Sequence, residues 1–366
     1  MKNNSVLFSP IRIGKITIPN RIVRSATHEF MAEGDGCISD RQIKLYRSLA
    51  EGEVGLIITG HAYVSPDGKA SPYQTAVYDD RFIPGLKKIV GSVQGHPSHI
   101  FLQISHAGRQ TKEKLCGCTP MSPSPVFEPV FDVLPKEMTQ GDIERVISDF
   151  IMACARAEQA GFSGVQLHIA HGYLLSSFIS PYTNRRTDEW GGNTKNRVKI
   201  LIRIIQGIRK KISPDFPLII KLNSTDFIPE GLNVEESIRI AQILEKQGVA
   251  GIEVSGGMAE AGKGSVWEGY LPEEKEGYFI HNASRIKEAT AIPVFGLGGI
   301  RSVSVMEKII MNRMADLISL SRPLIHDPHF VDKIHKGESL KSGCISCNKC
   351  FNPRGIKCAI TSKKKS

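Results

Sequence analysis

Short apolar runs alternate with longer amphipathic stretches along the whole chain. The short runs are mostly apolar on both faces, which is typical of strands that are buried on both sides. They predict eight strands, at 21–25, 54–60, 100–105, 164–169, 218–223, 251–256, 293–298 and 316–321. The stretches between them have apolar positions every three or four residues and predict helices, at 39–52, 81–94, 139–161, 193–212, 233–248, 281–290 and 302–313.

This alternation predicts the α/β class, a (β/α)8 TIM barrel, rather than an open doubly wound sheet. An open sheet that binds a dinucleotide would carry G-x-G-x-x-G after its first strand, and "RSATHEFMAEGDG" lacks that spacing. "LFSPIRIGKITIPNRI" predicts an N-terminal hairpin that closes the barrel floor. We therefore expect the barrel to occupy residues 1–340 and a Cys-rich C-terminal extension to occupy 341–366.

Two long segments that follow predicted strands, 119–135 and 256–278, are expected to form pocket walls or lids. The first is rich in proline, and the second is rich in glycine and glutamate. These loops are the part of the sequence that would select a substrate.

Composition and charge narrow the function further. The chain has 366 residues, 41% hydrophobic and 23% charged, as is ordinary for one large globular domain. No apolar run reaches the roughly 20 residues that cross a bilayer, and the N-terminus lacks the apolar core of a signal peptide, so we expect a cytoplasmic protein with no membrane partner. The net charge of +10 is spread along the chain, without a basic stripe interleaved with aromatics, which argues against nucleic acid as a partner.

Polar residues follow the last two predicted strands in a pattern that suits an anion. Strand seven leads into Gly298 and Gly299, and strand eight leads into Ser321 and Arg322. Backbone N–H groups at such glycines and a guanidinium are a common phosphate site at the carboxyl ends of barrel strands. The sequence therefore predicts a phosphorylated ligand.

Other strand ends carry groups suited to a planar ring. Gln103 and Lys221 can donate hydrogen bonds to the edge of a heterocycle. Strand four carries His168 near its end and leads into His171 and Tyr173, and these three side chains would lie over the face of such a ring. Together with the phosphate site they predict a pocket for a phosphorylated, ring-bearing cofactor that is open to substrate on one side.

Five motifs in order give the chain a family resemblance: "IPNRIVRSA", "LQISHAGR", "HIAHGYLLSSFISPYTNRRTDEWGG", "FGLGGIRS" and "ADLISLSRPLIHDP". From about Phe8 to Lys333 the sequence resembles the Old Yellow Enzyme family of FMN-dependent oxidoreductases. The resemblance implies FMN as cofactor and NAD(P)H as electron donor. It also implies a small-molecule substrate with a conjugated carbonyl, whose C=C bond is reduced.

The resemblance also implies roles for individual residues. His168 and His171 match the pair that binds the substrate carbonyl oxygen, and Tyr173 matches the proton donor. The family usually has arginine at the position of Lys221, and lysine is a point charge rather than a planar fork. The residues implied to bind FMN are Ser25, Ala26, Thr27, His28, Gly60, His61, Gln103, Lys221, Gly298, Gly299, Ser321 and Arg322.

Four of the eight cysteines crowd together near the C-terminus with the spacing C-x2-C-x2-C-x7-C. They are Cys344, Cys347, Cys350 and Cys358. Four thiolates at this spacing suit a [4Fe–4S] cluster or a structural zinc, and redox-idle thiols are the alternative. The iron–sulfur branch of the resembled family, the dienoyl-CoA reductases and amine dehydrogenases, has a similar group here, but with slightly longer gaps between the cysteines and a further C-terminal domain.

Four functions remain open on the sequence alone. The preferred one is an NAD(P)H-dependent ene-reductase, expected to be a homo-oligomer. The second is a flavin reductase or demethylase module that receives electrons from a separate protein through the cysteines. The others are a protein that senses or stores flavin without turnover and a colourless aldolase-type barrel that binds a phosphate.

Overall fold

Eight parallel strands close into a barrel in the computed structural model, which describes residues 5–262 and 264–363. Each strand pairs with the next along the chain, and the eighth pairs with the first through Ile318 and Ile22, which completes the ring. This confirms the predicted (β/α)8 fold. The strands are β1 (Ile22–Arg24), β2 (Leu56–Ile58), β3 (His99–Ser105), β4 (Gly164–Ile169), β5 (Leu218–Asn223), β6 (Ile252–Ser255), β7 (Val294–Gly296) and β8 (Leu317–Leu320).

A helix follows each barrel strand, and all seven predicted helices are present. Thr139 caps the longest one, because its hydroxyl accepts a hydrogen bond from Asp142 N at 3.1 Å. The helices are α1 (Asp40–Glu51), α2 (Ile83–Val93), α3 (Gln140–Gln159), α4 (Lys199–Lys211), α5 (Val234–Lys246), α6 (Ile280–Glu288), α7 (Val303–Met311) and α8 (Phe330–His335). Shorter helices are Glu113–Cys116, Leu174–Ile179, Thr194–Arg197, Arg322–His326 and Ala359–Lys363.

The remaining regular elements are brief and lie in the loops. Single 3-10 turns occupy Val6–Phe8, Pro66–Gly68, Asp80–Phe82 and Glu273–Lys275. Two-residue strands occupy Ala62–Tyr63, Met121–Ser122 and Lys136–Glu137.

The predicted N-terminal hairpin closes the barrel floor. Its strands, Ile11–Ile13 and Ile16–Ile18, pair antiparallel across a turn in which Gly14 has a φ of 56°. Ile13 and Ile18 are fully buried against the lower interior of the barrel. That interior layer consists of Val23, Leu56, Ile58, Phe101, Ile219, Phe295 and Leu317.

The barrel interior changes from apolar to polar along the same strands. Side chains two residues apart on a strand point to the same side, so Phe101 of β3 is followed inside by Gln103 and Ile219 of β5 is followed by Lys221. Leu317 of β8 is likewise followed by Ser319. The carboxyl ends of the strands therefore present polar side chains above an apolar floor.

The chain after the barrel folds back over it. Lys341 forms an isolated bridge with Ser302, and Ser342 N donates to Arg301 O at 2.9 Å. The boundary between 340 and 341 remains a prediction, and the last three residues of the predicted extension lie outside the described residues. Among the helices of the described residues, none has the length and apolar character needed to cross a membrane.

Replacing Ile18 by alanine should lower the free energy of unfolding by about 2–5 kcal/mol, since it removes a buried side chain and leaves a cavity in the floor. Thr17→Ala, on the exposed face of the same strand, is the matched control and should change it by less than about 0.5 kcal/mol. Urea titrations followed by circular dichroism measure both. Equal effects of the two substitutions would show that the hairpin does not seal the barrel.

Candidate active site

A cavity of about 260 Å³ opens at the carboxyl ends of the barrel strands. All but one of the residues predicted for the site line it: Ser25, Ala26, Thr27, His28, His61, Gln103, His168, His171, Tyr173, Lys221, Gly298, Gly299, Ser321 and Arg322. The exception is Gly60, which lies behind the wall, where its N–H donates to Glu29 Oε1 at 2.7 Å. A side chain at Gly60 would displace the Glu29 carboxylate from this position.

Three predicted rings gather on one side of the cavity. His168 lies at the end of β4, and its ring centroid is 5.1 Å from that of His171 and 4.9 Å from that of Tyr173. The ring of His61 lies 5.0 Å from that of Tyr173. Two imidazoles and a phenol therefore face the same space.

The turn that brings His171 into the cavity is left-handed. His171 has a φ of 65° and Gly172 a φ of 82°, a conformation that is unfavourable for a residue with a side chain. Hydrogen bonds hold it in place: His171 N donates to Asn223 Oδ1 at 3.1 Å, and Gln110 Nε2 donates to His171 O at 2.8 Å. The imidazole then lies with Nε2 at 2.7 Å from Ser255 Oγ.

Burial fixes the protonation of these groups. Desolvation lowers the pKa of His168 and that of His171 well below the ordinary value, and neighbouring histidines and the charge of Lys221 lower them further. Burial also raises the pKa of Tyr173 to about 12. At neutral pH both imidazoles are uncharged and each carries one N–H, while the phenol keeps its proton.

Three buried polar atoms of residues that line the cavity have no hydrogen-bond partner among the described residues. They are His168 Nδ1, Ser319 Oγ and Arg301 Nε. Buried polar atoms are nearly always hydrogen-bonded in folded proteins. Unpartnered atoms that line a cavity therefore indicate a ligand with its own polar groups, and this fits the predicted phosphorylated heterocycle.

A row of polar side chains crosses the barrel interior at the base of the cavity. Lys221 Nζ donates to Ser25 Oγ at 2.9 Å and lies 3.3 Å from Glu253 Oε2. Gln103 Nε2 donates to Gln166 Oε1 at 2.6 Å. Our sequence reasoning missed Gln166 and Glu253, although each is a polar residue within an apolar strand, two positions before a cavity-lining one.

Gly298, Gly299, Ser321 and Arg322, the residues predicted to bind a phosphate, line another part of the cavity. Gly298 and Gly299 have φ values of 126° and 71°, and a Cβ on Gly298 would lie 2.8 Å from Tyr278 N. Glycine is required there because both the dihedral angle and the close approach exclude a side chain. Ser321 Oγ lies 2.7 Å from Thr27 Oγ1.

Arg322 connects the cavity wall to the segments around it. Its Nη1 donates to Trp267 O and to Asn348 Oδ1, both at 2.8 Å. The same side chain thus lines the cavity and holds the 256–278 loop and the C-terminal extension in place.

Parts of the wall come from segments that the motifs did not mark. Ser265, Val266 and Tyr278 belong to the 256–278 loop, which therefore forms a pocket wall as predicted. Ser346 and Phe351 come from the C-terminal extension, whose return to the cavity the sequence did not reveal. No residue of 119–135 lines the cavity, so that loop does not form the wall expected of it.

The four C-terminal cysteines line a second, small cavity, which shares Arg322 with the first. His326 belongs to it too, with Nδ1 3.3 Å from Cys358 Sγ. Burial raises the pKa of Cys344 and that of Cys350. Within the described residues no three His, Cys, Asp or Glu side chains are arranged to hold a metal ion, so the cluster or zinc stays a prediction.

Comparison with known proteins gives matches over nearly the whole chain. Residues 6–341 match the sequence model of the NADH:flavin oxidoreductase / NADH oxidase family. An NADH oxidase of Thermoanaerobacter brockii is 37% identical over 345 residues, which are 93% of this chain and 52% of that protein. An NADPH dehydrogenase of Geobacillus thermodenitrificans (strain NG80-2) is 34% identical over 328 residues, 89% of this chain and 93% of that one.

Solved structures show the same fold. A 2-naphthoyl-CoA reductase in complex with 2-naphthoyl-CoA superposes with a TM-score of 0.87 and 30% identity, over 95% of this chain and 54% of that one. An Old Yellow Enzyme homologue from Zymomonas mobilis superposes with a TM-score of 0.81 and 23% identity, over 97% of both chains. The chain spans about half the length of the NADH oxidase and of the naphthoyl-CoA reductase.

The buried histidines predict how stability depends on pH. Their folded pKa lies below the unfolded value of about 6.5, so between these two values the unfolded chain binds more protons and stability falls as the pH falls. His168→Asn removes one such group. The wild type should therefore lose its advantage in free energy of unfolding over this variant by up to about 1.4 kcal/mol for each pH unit below 6.5.

Urea unfolding of both proteins at pH 7, 6 and 5 measures this difference. His281→Asn, on the exposed face of α6, serves as control. A difference for His168→Asn that is independent of pH would contradict a neutral buried imidazole.

Proposed function

The chain belongs to the NADH:flavin oxidoreductase / NADH oxidase family, and on that premise we propose that it reduces the C=C bond of an α,β-unsaturated carbonyl compound with electrons from NADH or NADPH, through bound FMN. The family match and the shared fold confirm the resemblance to the Old Yellow Enzymes. One observation carries the proposal. Two neutral imidazoles and a protonated phenol face a single cavity that Gly298, Gly299, Ser321 and Arg322 also line.

The residues around the cavity suit FMN. We assign the phosphate to the end formed by Gly298, Gly299, Ser321 and Arg322, and the isoalloxazine edge to the end formed by Gln103 and Lys221. The rest of the proposed FMN site is formed by cavity-lining residues from the segments that follow β1 and β2: Ser25, Ala26, Thr27, His28 and His61. Gly60 acts from behind the cavity wall. It leaves room for Glu29 rather than contacting the cofactor.

FMN, when bound, supplies hydride transfer to the substrate carbon. His168 and His171 bind the carbonyl oxygen through their N–H groups and stabilise the negative charge that builds there, as in an oxyanion hole. Neutral imidazoles suit this task, since an N–H donor is present at every pH above their lowered pKa. Tyr173 donates its proton to the α-carbon, which lies between the carbonyl carbon and the carbon that receives the hydride. The raised pKa of Tyr173 keeps the proton on the phenol until the α-carbon becomes basic.

The acceptor class is supported by the structural match at 30% identity. That enzyme was solved with 2-naphthoyl-CoA, in which a thioester carbonyl is conjugated to a ring. We propose a conjugated ketone, aldehyde or thioester as the acceptor for this chain.

Replacing both His168 and His171 by asparagine should leave FMN bound but weaken the binding of phenol-type ligands and slow reoxidation by 2-cyclohexenone by about 10²–10³-fold. Stopped-flow absorbance, after anaerobic reduction with NADPH, measures the rate. The charge-transfer band formed with p-hydroxybenzaldehyde reports ligand binding. The single variant His281→Asn should behave like wild type, and an unchanged band in the double variant would refute the roles given to the pair.

A second candidate function is a flavin module that receives electrons from another protein through the cysteines. The observation in its favour is that Cys344, Cys347, Cys350 and Cys358 line one cavity that borders Arg322, a residue of the FMN site. Four thiols and a shared wall residue would place a cluster beside the cofactor. Slow reduction by NADH and NADPH, combined with rapid reduction by a reduced ferredoxin or flavodoxin, would favour this candidate over the first.

Iron and acid-labile sulfide, assayed on anaerobically purified protein, test the cysteines directly. The second candidate predicts about four of each per chain, the content of a [4Fe–4S] cluster, and their loss in a Cys347→Ser/Cys350→Ser variant. Cys154→Ser is the control, because Cys154 is a buried cysteine of α3 and does not belong to the C-terminal group. If the protein contains zinc but no sulfide, the cysteines form a structural metal site. If it contains neither iron nor zinc, they are four redox-idle thiols.

A further inference from the structure

A carboxylate beneath the cavity sets the charge that the cavity presents to its ligand. We propose that Glu253 is a positioning residue of the flavin site. It orients Lys221 and offsets its positive charge, and thereby holds the reduction potential of bound FMN below the value that Lys221 alone would give. The inference rests on the proposed FMN site and adds to it a residue that does not touch the cofactor.

Glu253 lies in the middle of β6, and the strand register places it beside Lys221 of β5. Its Oε2 is 3.3 Å from Lys221 Nζ. The exposed fractions of the two side chains are 0% and 5%, so water does not screen the pair. An ammonium and a carboxylate at this separation in a dry interior act on a nearby ligand as a nearly neutral unit.

The pair belongs to a continuous row of hydrogen bonds. Gln166 Nε2 donates to the same Oε2 at 3.1 Å, and Gln166 Oε1 in turn accepts from Gln103 Nε2 at 2.6 Å. Lys221 Nζ donates to Ser25 Oγ at 2.9 Å at the other end. Gln103, Lys221 and Ser25 line the cavity, whereas Gln166 and Glu253 do not.

A purely structural role would account for these bonds poorly. Burying a carboxylate is unfavourable unless its hydrogen-bonding capacity is satisfied. Glu253 Oε1 has no hydrogen-bond partner among the described residues, so the acid is only partly compensated. Within residues 5–262 and 264–363, the side chain that forms an ion pair with Glu253 is Lys221, so the electrostatic effect of the carboxylate falls mainly on Lys221.

The consequence for FMN follows from charge alone. Reduction adds negative charge to the bound cofactor, and an unbalanced ammonium nearby favours the reduced form. A carboxylate behind the ammonium cancels part of this preference. Removing only the carboxylate charge should therefore raise the potential, whereas a residue that merely supports the fold would leave the potential unchanged.

Glu253→Gln keeps the shape and removes the charge. We expect the ratio of reduced to oxidised FMN at a fixed potential to rise at least tenfold, a positive shift of about 30 mV for a two-electron couple. Equilibration of the FMN-loaded protein with a reference dye at pH 7 measures it. Glu253→Asp, which keeps the charge, should stay within threefold of wild type.

Glu236→Gln is the matched control, since Glu236 forms a buried ion pair with Arg197 away from the cavity. It should leave the potential unchanged. If Glu253→Gln does not fold, Glu253→Met removes the same charge with an apolar side chain and carries the same expectation. A folded, FMN-loaded variant with an unshifted or more negative potential overturns this inference, whereas a wild-type protein that takes up no FMN overturns the proposed function itself.

Discussion

The site depends on one geometric constraint, the two-residue alternation of side chains inside a closed barrel of parallel strands. Because each strand points every second side chain inward, Phe101 and Gln103 lie in successive layers of one interior, as do Ile219 and Lys221. The lower layer is apolar and is sealed by the hairpin, and the upper layer is polar. Shifting any of these strands by one residue would send its polar groups outward and remove them from the cavity.

The low dielectric of this interior gives the upper layer its chemistry. It keeps His168 and His171 uncharged and Tyr173 protonated, so that the cavity offers hydrogen-bond donors at neutral pH without a local excess of charge. The same lack of water gives Lys221 a strong influence on any ligand, and an acidic neighbour on the next strand moderates it. The uncharged N–H donors of His168 and His171, and the ammonium of Lys221 paired with Glu253, are compatible with a cofactor that gains negative charge when it is reduced.

Sequence reasoning succeeded where function is carried by local pattern. The eight strands appeared as apolar runs, and the cavity residues appeared as the polar groups at their ends. Of the residues predicted to bind FMN or substrate, all except Gly60 line one cavity. It failed where side chains meet only through the tertiary fold. Glu253 and Gln166 are single polar residues inside apolar strands, and only the strand register shows that they join Lys221 to Gln103.

The C-terminal extension shows the same limit. Its cysteine spacing was visible, but the return of Ser346 and Phe351 to the cavity depends on hydrogen bonds from Arg322, which lies more than twenty residues earlier in the chain. The loop at 119–135 was expected to form a wall of the cavity but does not line it. Proline content indicates a loop but not the direction in which the loop folds. Glycine and proline patterns locate connections, and contacts with the rest of the barrel decide which of them form a wall.

We propose that this cavity holds one FMN, with its phosphate at Arg322 and the edge of its ring at Lys221. Titration of FMN into flavin-free protein, followed by the quenching of flavin fluorescence, measures this most directly. We expect saturation at one FMN per chain, with binding weakened strongly in Arg322→Met. Unquenched fluorescence at every protein concentration, or equal binding by the variant, would contradict it.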